Sequence, residues 1–239
     1  AKKELDAVKP LFWLGELDAL EKPEYMQVFD AAYTWTWMHR SKDFYKQNLP
    51  LNTLDSVLRK YEEAPGMETW FTTNHDENSW NGTEYEKYGN AAQALAVFSC
   101  TWPGIPLLYS GQELPNHKRL EFFEKDPIAW TGNNQLHNFY KTLLNLHSTH
   151  PALSAVASEA PVHRLQTSQT GNVMAYLRKA GDREVLVLLN LSGSGNLQVE
   201  LTDSKISGTF KNVFFDERVN FSNQKTVQMK AWEYLVYEK

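Results

Sequence analysis

The sequence predicts an α/β fold over residues 1–152 and an antiparallel β-sandwich over residues 153–239. Three observations carry this reading. Apolar strand patterns alternate with helical patterns four times before Pro151. Beyond it, short β-branched and aromatic runs recur at roughly 8–12-residue spacing, with turn residues between several of them. In the first part, strand patterns end in polar, ionisable residues, as an open α/β sheet or barrel presents a site at its carboxyl edge.

Leu5 and Val8 give a short amphipathic helix end, stopped by Pro10. Leu11 to Leu14 is a fully apolar strand pattern closing on Gly15 and Glu16. A second strand is expected over Phe29–Trp37, and a helix over Thr53–Glu63 with Leu54, Val57, Leu58 and Tyr61 on one face and Thr53 as N-cap. Pro65 and Gly66 end it. The third strand, from Glu68, carries Trp70, Phe71, Thr72 and Thr73 and then delivers Asn74, His75 and Asp76 together, with Glu77 and Trp80 behind. Local turn chemistry, an Asx-turn at Asn74 and Asp76, is the competing explanation for that cluster.

Asn90 to Trp102 reads as a helix apolar on nearly every side and therefore buried, which makes its lone Cys100 an inert thiol. Ile105 to Tyr109 is the fourth strand, again ending in polar residues, Ser110, Gly111, Gln112 and Glu113. A long loop over 114–134 follows. A last helix over 135–150 turns Leu136, Phe139, Tyr140, Leu143, Leu144 and His147 to the core. Strands are then expected over 162–164, 173–178, 185–191, 197–201, 210–214, 226–229 and 233–237, with turns at Gly171-Asn172, Gly181-Asp182 and Gly193-Ser-Gly195.

Composition narrows the function. Apolar residues make up 42% of the 239 residues and charged residues 22%, so a packed core is expected. The net charge of −5, without a basic cluster, points away from nucleic acid and anionic membranes, and no run is long enough to cross a bilayer. The eight Trp include several beside polar residues in loops, where aromatic faces suit sugar rings. The histidines show no metal-ligand spacing. Four strand–helix units cannot close a barrel, which needs eight. The chain is therefore read as the C-terminal half of a (β/α)8 TIM barrel followed by the sandwich, with open barrel edges expected to self-associate.

Glu16 and Asp76 lie 60 residues and two strands apart, and parallel strands bring their ends to one face. Two converging carboxylates amid aromatics suit glycosidic cleavage, which needs an acid for the leaving oxygen and negative charge for an oxocarbenium-like centre. Phe12-Trp-Leu-Gly-Glu16, Phe71-Thr-Thr-Asn-His-Asp76 and Gly104-Ile-Pro-Leu-Leu-Tyr-Ser-Gly-Gln-Glu113 resemble, in order and spacing, the later motifs of the α-amylase family of glycoside hydrolases. Phe122-Phe-Glu-Lys-Asp-Pro-Ile-Ala-Trp130 resembles the segment after the last barrel strand.

That resemblance implies Glu16 as general acid/base, Asp76 as transition-state stabiliser and His75 as the residue that hydrogen-bonds the reacting sugar; Asn74 and Asp126 are further candidate substrate-binding residues, with Lys118 and Arg119 weaker ones. The apolar strand before Glu16 is expected to desolvate its carboxyl and hold its proton. Trp80, Trp130 and Tyr109 are subsite or packing residues. The family's nucleophile, an aspartate preceded by an arginine, falls before residue 1, as does the inserted domain that usually supplies calcium ligands; no cofactor is implied within these residues. The implied partner is an α-glucan oligosaccharide or polysaccharide. Proteins of this kind that serve only as binding or partner subunits usually lack the acid or the Asn-His-Asp aspartate, both present here; transglycosylation and isomerisation use the same residues.

Overall fold

The computed structural model describes residues 1–132 and 134–239. After a short helix, α1 (Lys2–Asp6), the chain alternates: β1 (Leu14–Asp18), β2 (Ala31–Tyr33), α2 (Trp35–Gln47), α3 (Asn52–Glu62), β3 (Met67–Trp70), α4 (His75–Trp80), α5 (Glu84–Tyr88), α6 (Ala92–Thr101), β4 (Ile105–Pro106) and α7 (His137–Thr149). Strands β1 to β4 form one parallel sheet in that order, open at β1 and β4.

Several boundaries differ from expectation. Leu11–Trp13 precede β1 rather than forming it, and Leu11 and Phe12 are 42% and 57% exposed. The second strand shrinks to three residues, because the chain turns into α2 directly after Thr34. Thr53 does not cap α3; the helix starts one residue earlier, with Leu51 at the cap and no side-chain cap bond. Leu144 faces solvent, and Leu146 takes its place against the core. Residues 114–132 and 134–136 hold turns and bends only, and Asn133 of the predicted loop lies outside the described residues.

α6 is buried at every position but Gln93, and its Cys100 thiol is pushed up to about 12 by burial. Trp37 stacks on Phe98 at 4.3 Å, and Trp70 meets both rings edge-on at 5.8 and 5.3 Å. Trp70 also donates from Nε1 to the Pro103 carbonyl at 2.6 Å, tying β3 to the turn before β4. That turn needs Gly104: its φ is +120°, and a Cβ there would lie 2.4 Å from the Glu68 carbonyl oxygen.

The remainder is β-rich: β5 (Val162–Arg164), β6 (Val173–Ala180), β7 (Arg183–Asn190), β8 (Leu197–Glu200), β9 (Thr209–Asn212), β10 (Arg218–Asn220), β11 (Thr226–Met229) and β12 (Tyr234–Glu238). Strand β10 was not foreseen; its Arg-Val-Asn sequence is too short to show alternation. Six strands form one antiparallel sheet, β10-β9-β12-β7-β6-β5, and β8 pairs with β11 in a second. Along β7 the faces alternate. Val185, Val187 and Leu189 join the core shared with α6 and α7, while Leu186 and Leu188 join a second core with Val199, Phe210 and Val227. Burial on both faces is why β7 reads as an unbroken apolar run. Arg178 of β6, wholly buried, clamps the two parts by donating to the carbonyls of Thr101, Ser154 and Ala160 at 2.7–3.0 Å.

Candidate active site

Glu16 sits on a bulge. Gly15 of β1 pairs with Ala32 and Asp18 with Tyr33, so Glu16 and Leu17 have no partners on β2. A bulge of this kind re-aims side chains at a sheet edge. Asp18 pins it from below: its buried carboxylate accepts from Leu20 N (2.8 Å), Thr36 N (2.6 Å) and the Tyr61 hydroxyl (2.7 Å). Gly15 is confined too, since a Cβ would meet the Phe29 ring at 3.0 Å.

The second contribution comes past β3. Phe71–Thr73 continue buried to Asn74, whose Oδ1 accepts from the amides of Asp76 (3.1 Å) and Glu77 (2.8 Å) and so N-caps α4. Capping sets His75 and Asp76 in the first helical turn. His75 Nε2 lies 3.6 Å from Glu16 Oε1 and 3.7 Å from Asp76 Oδ1, and ligand atoms of all three lie within 4.8 Å of one another. The side chains of His75 and Glu16 are each 51% exposed and that of Asp76 is 32% exposed. Two carboxylates and an imidazole at this spacing can donate a proton, stabilise developing positive charge and bond a hydroxyl. They could also offer one ligand each to a cation, although exposed acidic groups at this spacing are common without one.

An aromatic floor lies alongside. Tyr33 packs on Phe71 at 5.4 Å and on Trp35 at 5.7 Å, with Trp35 edge-on to Phe71 at 5.3 Å and stacked near His39. Burial, and then the charges of Glu16 and Asp76, raise the Tyr33 hydroxyl's pKa, so it remains a proton donor beside the site.

Beneath the strand ends runs a buried polar network. Glu84 Oε2 accepts from the Thr72 hydroxyl (2.8 Å) and from Gln112 Nε2 (2.7 Å), which also reaches Tyr140 (3.2 Å); Gln112 Oε1 accepts from Tyr109 N (2.7 Å). Burial raises the Glu84 carboxyl's pKa. Lys87, buried and lowered to about 8 chiefly by desolvation, donates to Thr73 Oγ1 and the Gly82 carbonyl.

Of the residues singled out in the sequence, Glu16, His75 and Asp76 come together. Asn74 stands behind them, 1% exposed and engaged in capping, so it orients its neighbours rather than facing a ligand. Asp126 is not in the cluster: it pairs with Lys118 and accepts from Glu121 N at 3.0 Å, an arrangement internal to the long loop. Arg119 pairs with Glu86, Gln112 is buried in the network, and Glu113 accepts from Gly111 N. The Glu16 side chain, expected to be desolvated, is half exposed, and Leu11–Trp13 stay outside its strand. Asp18, Tyr33 and Trp35 were missed. For Asp18 the one signal was its spacing two residues after Glu16, which in a regular strand would have meant the same face.

Residues 173–236 match the family described as the Alpha-amylase SusG C-terminal domain. Alpha-amylase MalA of Haloarcula japonica is 32% identical over 122 residues, covering 50% of this chain and 17% of that protein. Among solved structures, the noncanonic maltogenic alpha-amylase AmyB from Thermotoga neapolitana superposes with a TM-score of 0.80 at 24% identity, over 100% of this chain and 57% of its own. The alpha-amylase of Geobacillus thermoleovorans, solved with acarbose, gives 0.80 at 17%, over 99% of this chain and 55% of its own. This chain thus spans somewhat more than half of these solved chains and a smaller part of MalA. In its ordered motifs, in the match of its β-rich part and in its fold, the chain is similar to members of the α-amylase family.

Proposed function

We propose that this chain carries the acid/base and stabilising carboxylates of a retaining α-glucan hydrolase acting on α-1,4-glucosidic bonds. The observation that carries it is the convergence of Glu16, His75 and Asp76 within 4.8 Å at the carboxyl edge of a parallel sheet. Glu16 protonates the leaving oxygen and later activates water. Asp76 stabilises the oxocarbenium-like charge, and His75 bonds a hydroxyl of the reacting sugar. Half exposure suits an acid that must exchange protons with water between steps, and binding of the glucan would supply the desolvation that the chain itself does not give Glu16. The Geobacillus relative's complex with acarbose supports an α-glucan-like ligand.

On this reading residues 1–152 are the second half of a (β/α)8 barrel, 153–239 its C-terminal β domain, and the nucleophile lies on a strand outside these residues. The open edges at β1 and β4 would then also drive self-association of the isolated chain, readable by light scattering; a stable monomer at high concentration counts against that part.

The test is turnover of maltooligosaccharides, followed by release of reducing ends. The 239-residue chain alone is expected to show none. Joined to a barrel half that bears the nucleophile it is expected to turn over, and Glu16→Gln should then lower kcat by about 10³-fold or more. Turnover by the chain alone that Glu16→Gln abolishes would refute the missing nucleophile. A Glu16→Gln enzyme as fast as its parent would refute the assignment of Glu16.

A further inference from the structure

Trp80, Phe122 and Phe123 make a second feature on α4. They are 56%, 41% and 81% exposed, yet their ring centroids lie 4.9–5.9 Å from one another. Trp80 follows Asp76 by four residues on α4, so the two side chains share one helix face a single turn apart. The phenylalanines come from the long loop, which is fastened to the same helix: Asn78 accepts from Leu120 N at 2.8 Å and donates to the Lys118 carbonyl. Asp126 tightens that loop through Lys118 and the Glu121 amide.

We propose that these three rings are a stacking platform for a pyranose ring of an α-glucan, one helical turn beyond Asp76, and that they favour longer chains over short ones. This rests on the α-glucan reading of Glu16 and Asp76. Single exposed rings are ordinary, whereas these three touch one another and together leave an open aromatic surface. A sugar ring matches that surface because its C–H face is apolar and its hydroxyls are polar at the rim. Glu121, Glu124 and Lys125, all exposed, flank the two phenylalanines and provide polar groups for such hydroxyls. The platform also gives Asp126 a role: it shapes the loop that carries the rings.

The experiment is isothermal titration of the 239-residue chain with maltotriose and maltoheptaose. It compares Trp80→Ala, Phe123→Ala and, as a control, Phe215→Ala, which removes a ring 69% exposed in the β-rich part. Thermal melts confirm folding, and Phe123 is exposed enough that its removal leaves the core intact. Trp80→Ala and Phe123→Ala should each weaken maltoheptaose binding about fivefold or more, with maltotriose binding and the control unchanged. Unchanged maltoheptaose affinity in both variants overturns the platform and leaves the catalytic reading standing. Equal weakening of both sugars overturns the distal placement. No binding of either sugar by the unsubstituted chain overturns the platform, and the catalytic reading then stands or falls by the turnover test alone. Sedimentation showing that Phe123→Ala abolishes self-association, with sugar affinities unchanged, overturns it in favour of a contact between copies.

Discussion

Replacing Asp18 by Asn tests whether the bulge that aims Glu16 is held from beneath. The carboxylate takes three donors: Leu20 N on Oδ1, and Thr36 N with the Tyr61 hydroxyl on Oδ2. A carboxamide has one oxygen. If it occupies the Oδ2 place, its NH₂ confronts the Leu20 N–H, one bond is lost and a donor is stranded, costing about 1–3 kcal/mol. The two surviving bonds fall from charged to neutral strength, which adds about 1–2 kcal/mol. The opposite orientation strands the Thr36 N–H instead, while the Tyr61 hydroxyl can turn and accept from the NH₂. The expected loss is therefore about 2–5 kcal/mol, a large part of a typical 5–15 kcal/mol. Tyr61→Phe removes one donor and leaves the carboxylate two, for about 2 kcal/mol. The assay is urea denaturation at pH 7 of both single variants and the double variant, at unchanged m-value. The pair should fall short of additivity by about 1 kcal/mol or more, since Tyr61→Phe removes a bond that Asp18→Asn would already have weakened. A loss below about 1 kcal/mol for Asp18→Asn, or strict additivity, would refute the reasoning.

Three further expectations follow from single positions. Gly104→Ala should cost about 3 kcal/mol or more, seen as a fall in Tm, because backbone strain at φ +120° adds to a Cβ 2.4 Å from the Glu68 carbonyl. Burial lifts the Glu68 carboxyl from 4.5 to about 7, so the folded chain holds that proton more tightly than the unfolded one. Its contribution is complete below pH 4.5 and is lost as pH rises toward 7, by up to about 3 kcal/mol and less for the access the group keeps to water. Glu68→Gln should abolish that decline in urea midpoints measured across the same window; an unchanged decline assigns it elsewhere. Asn74→Ala should cost about 1 kcal/mol through loss of the cap, and Asn74→Asp should restore most of it, since a carboxylate accepts the same two amides.

The sequence made the helices of the core legible where burial is one-sided or complete. Leu54, Val57, Leu58 and Tyr61 mark one face of α3, and α6 is apolar all round because it lies between the parallel sheet and β7. The paired identity of Asn74 was legible only as a choice. The structure divides the motif: Asn74 is the local cap that turn chemistry predicts, while His75 and Asp76 are turned outward to meet Glu16. Boundaries were less legible where apolar residues are not buried. Leu11 and Phe12 look like strand from composition, yet the pairing with β2 begins only at Leu14. Tyr33 and Trp35 were hidden for the opposite reason. Both fell inside one predicted strand, whose period would have put them on one face, whereas the chain changes from strand to helix between them and folds both rings against Phe71.

The buried network under the strand ends is best understood as positioning rather than as stabilisation. Burying the Glu84 carboxyl costs desolvation, which is why its pKa rises, and the bonds from Thr72 and Gln112 recover part of that cost. Apolar residues of similar volume would serve stability as well or better. What they could not do is fix the distance between three elements. Glu84 and Gln112 connect α5 and the segment after β4 to Thr72, two residues before Asn74, and Lys87 holds Thr73 from the same helix. Each bond constrains the backbone that leads into the cap of α4. A shift of one residue in any of them would move His75 and Asp76 relative to Glu16, whose own place is set by Asp18 on the same strand, β1. The two halves of the site thus have separate anchors, and only anchors with directional bonds can hold side chains from different strands to a spacing of a few ångströms.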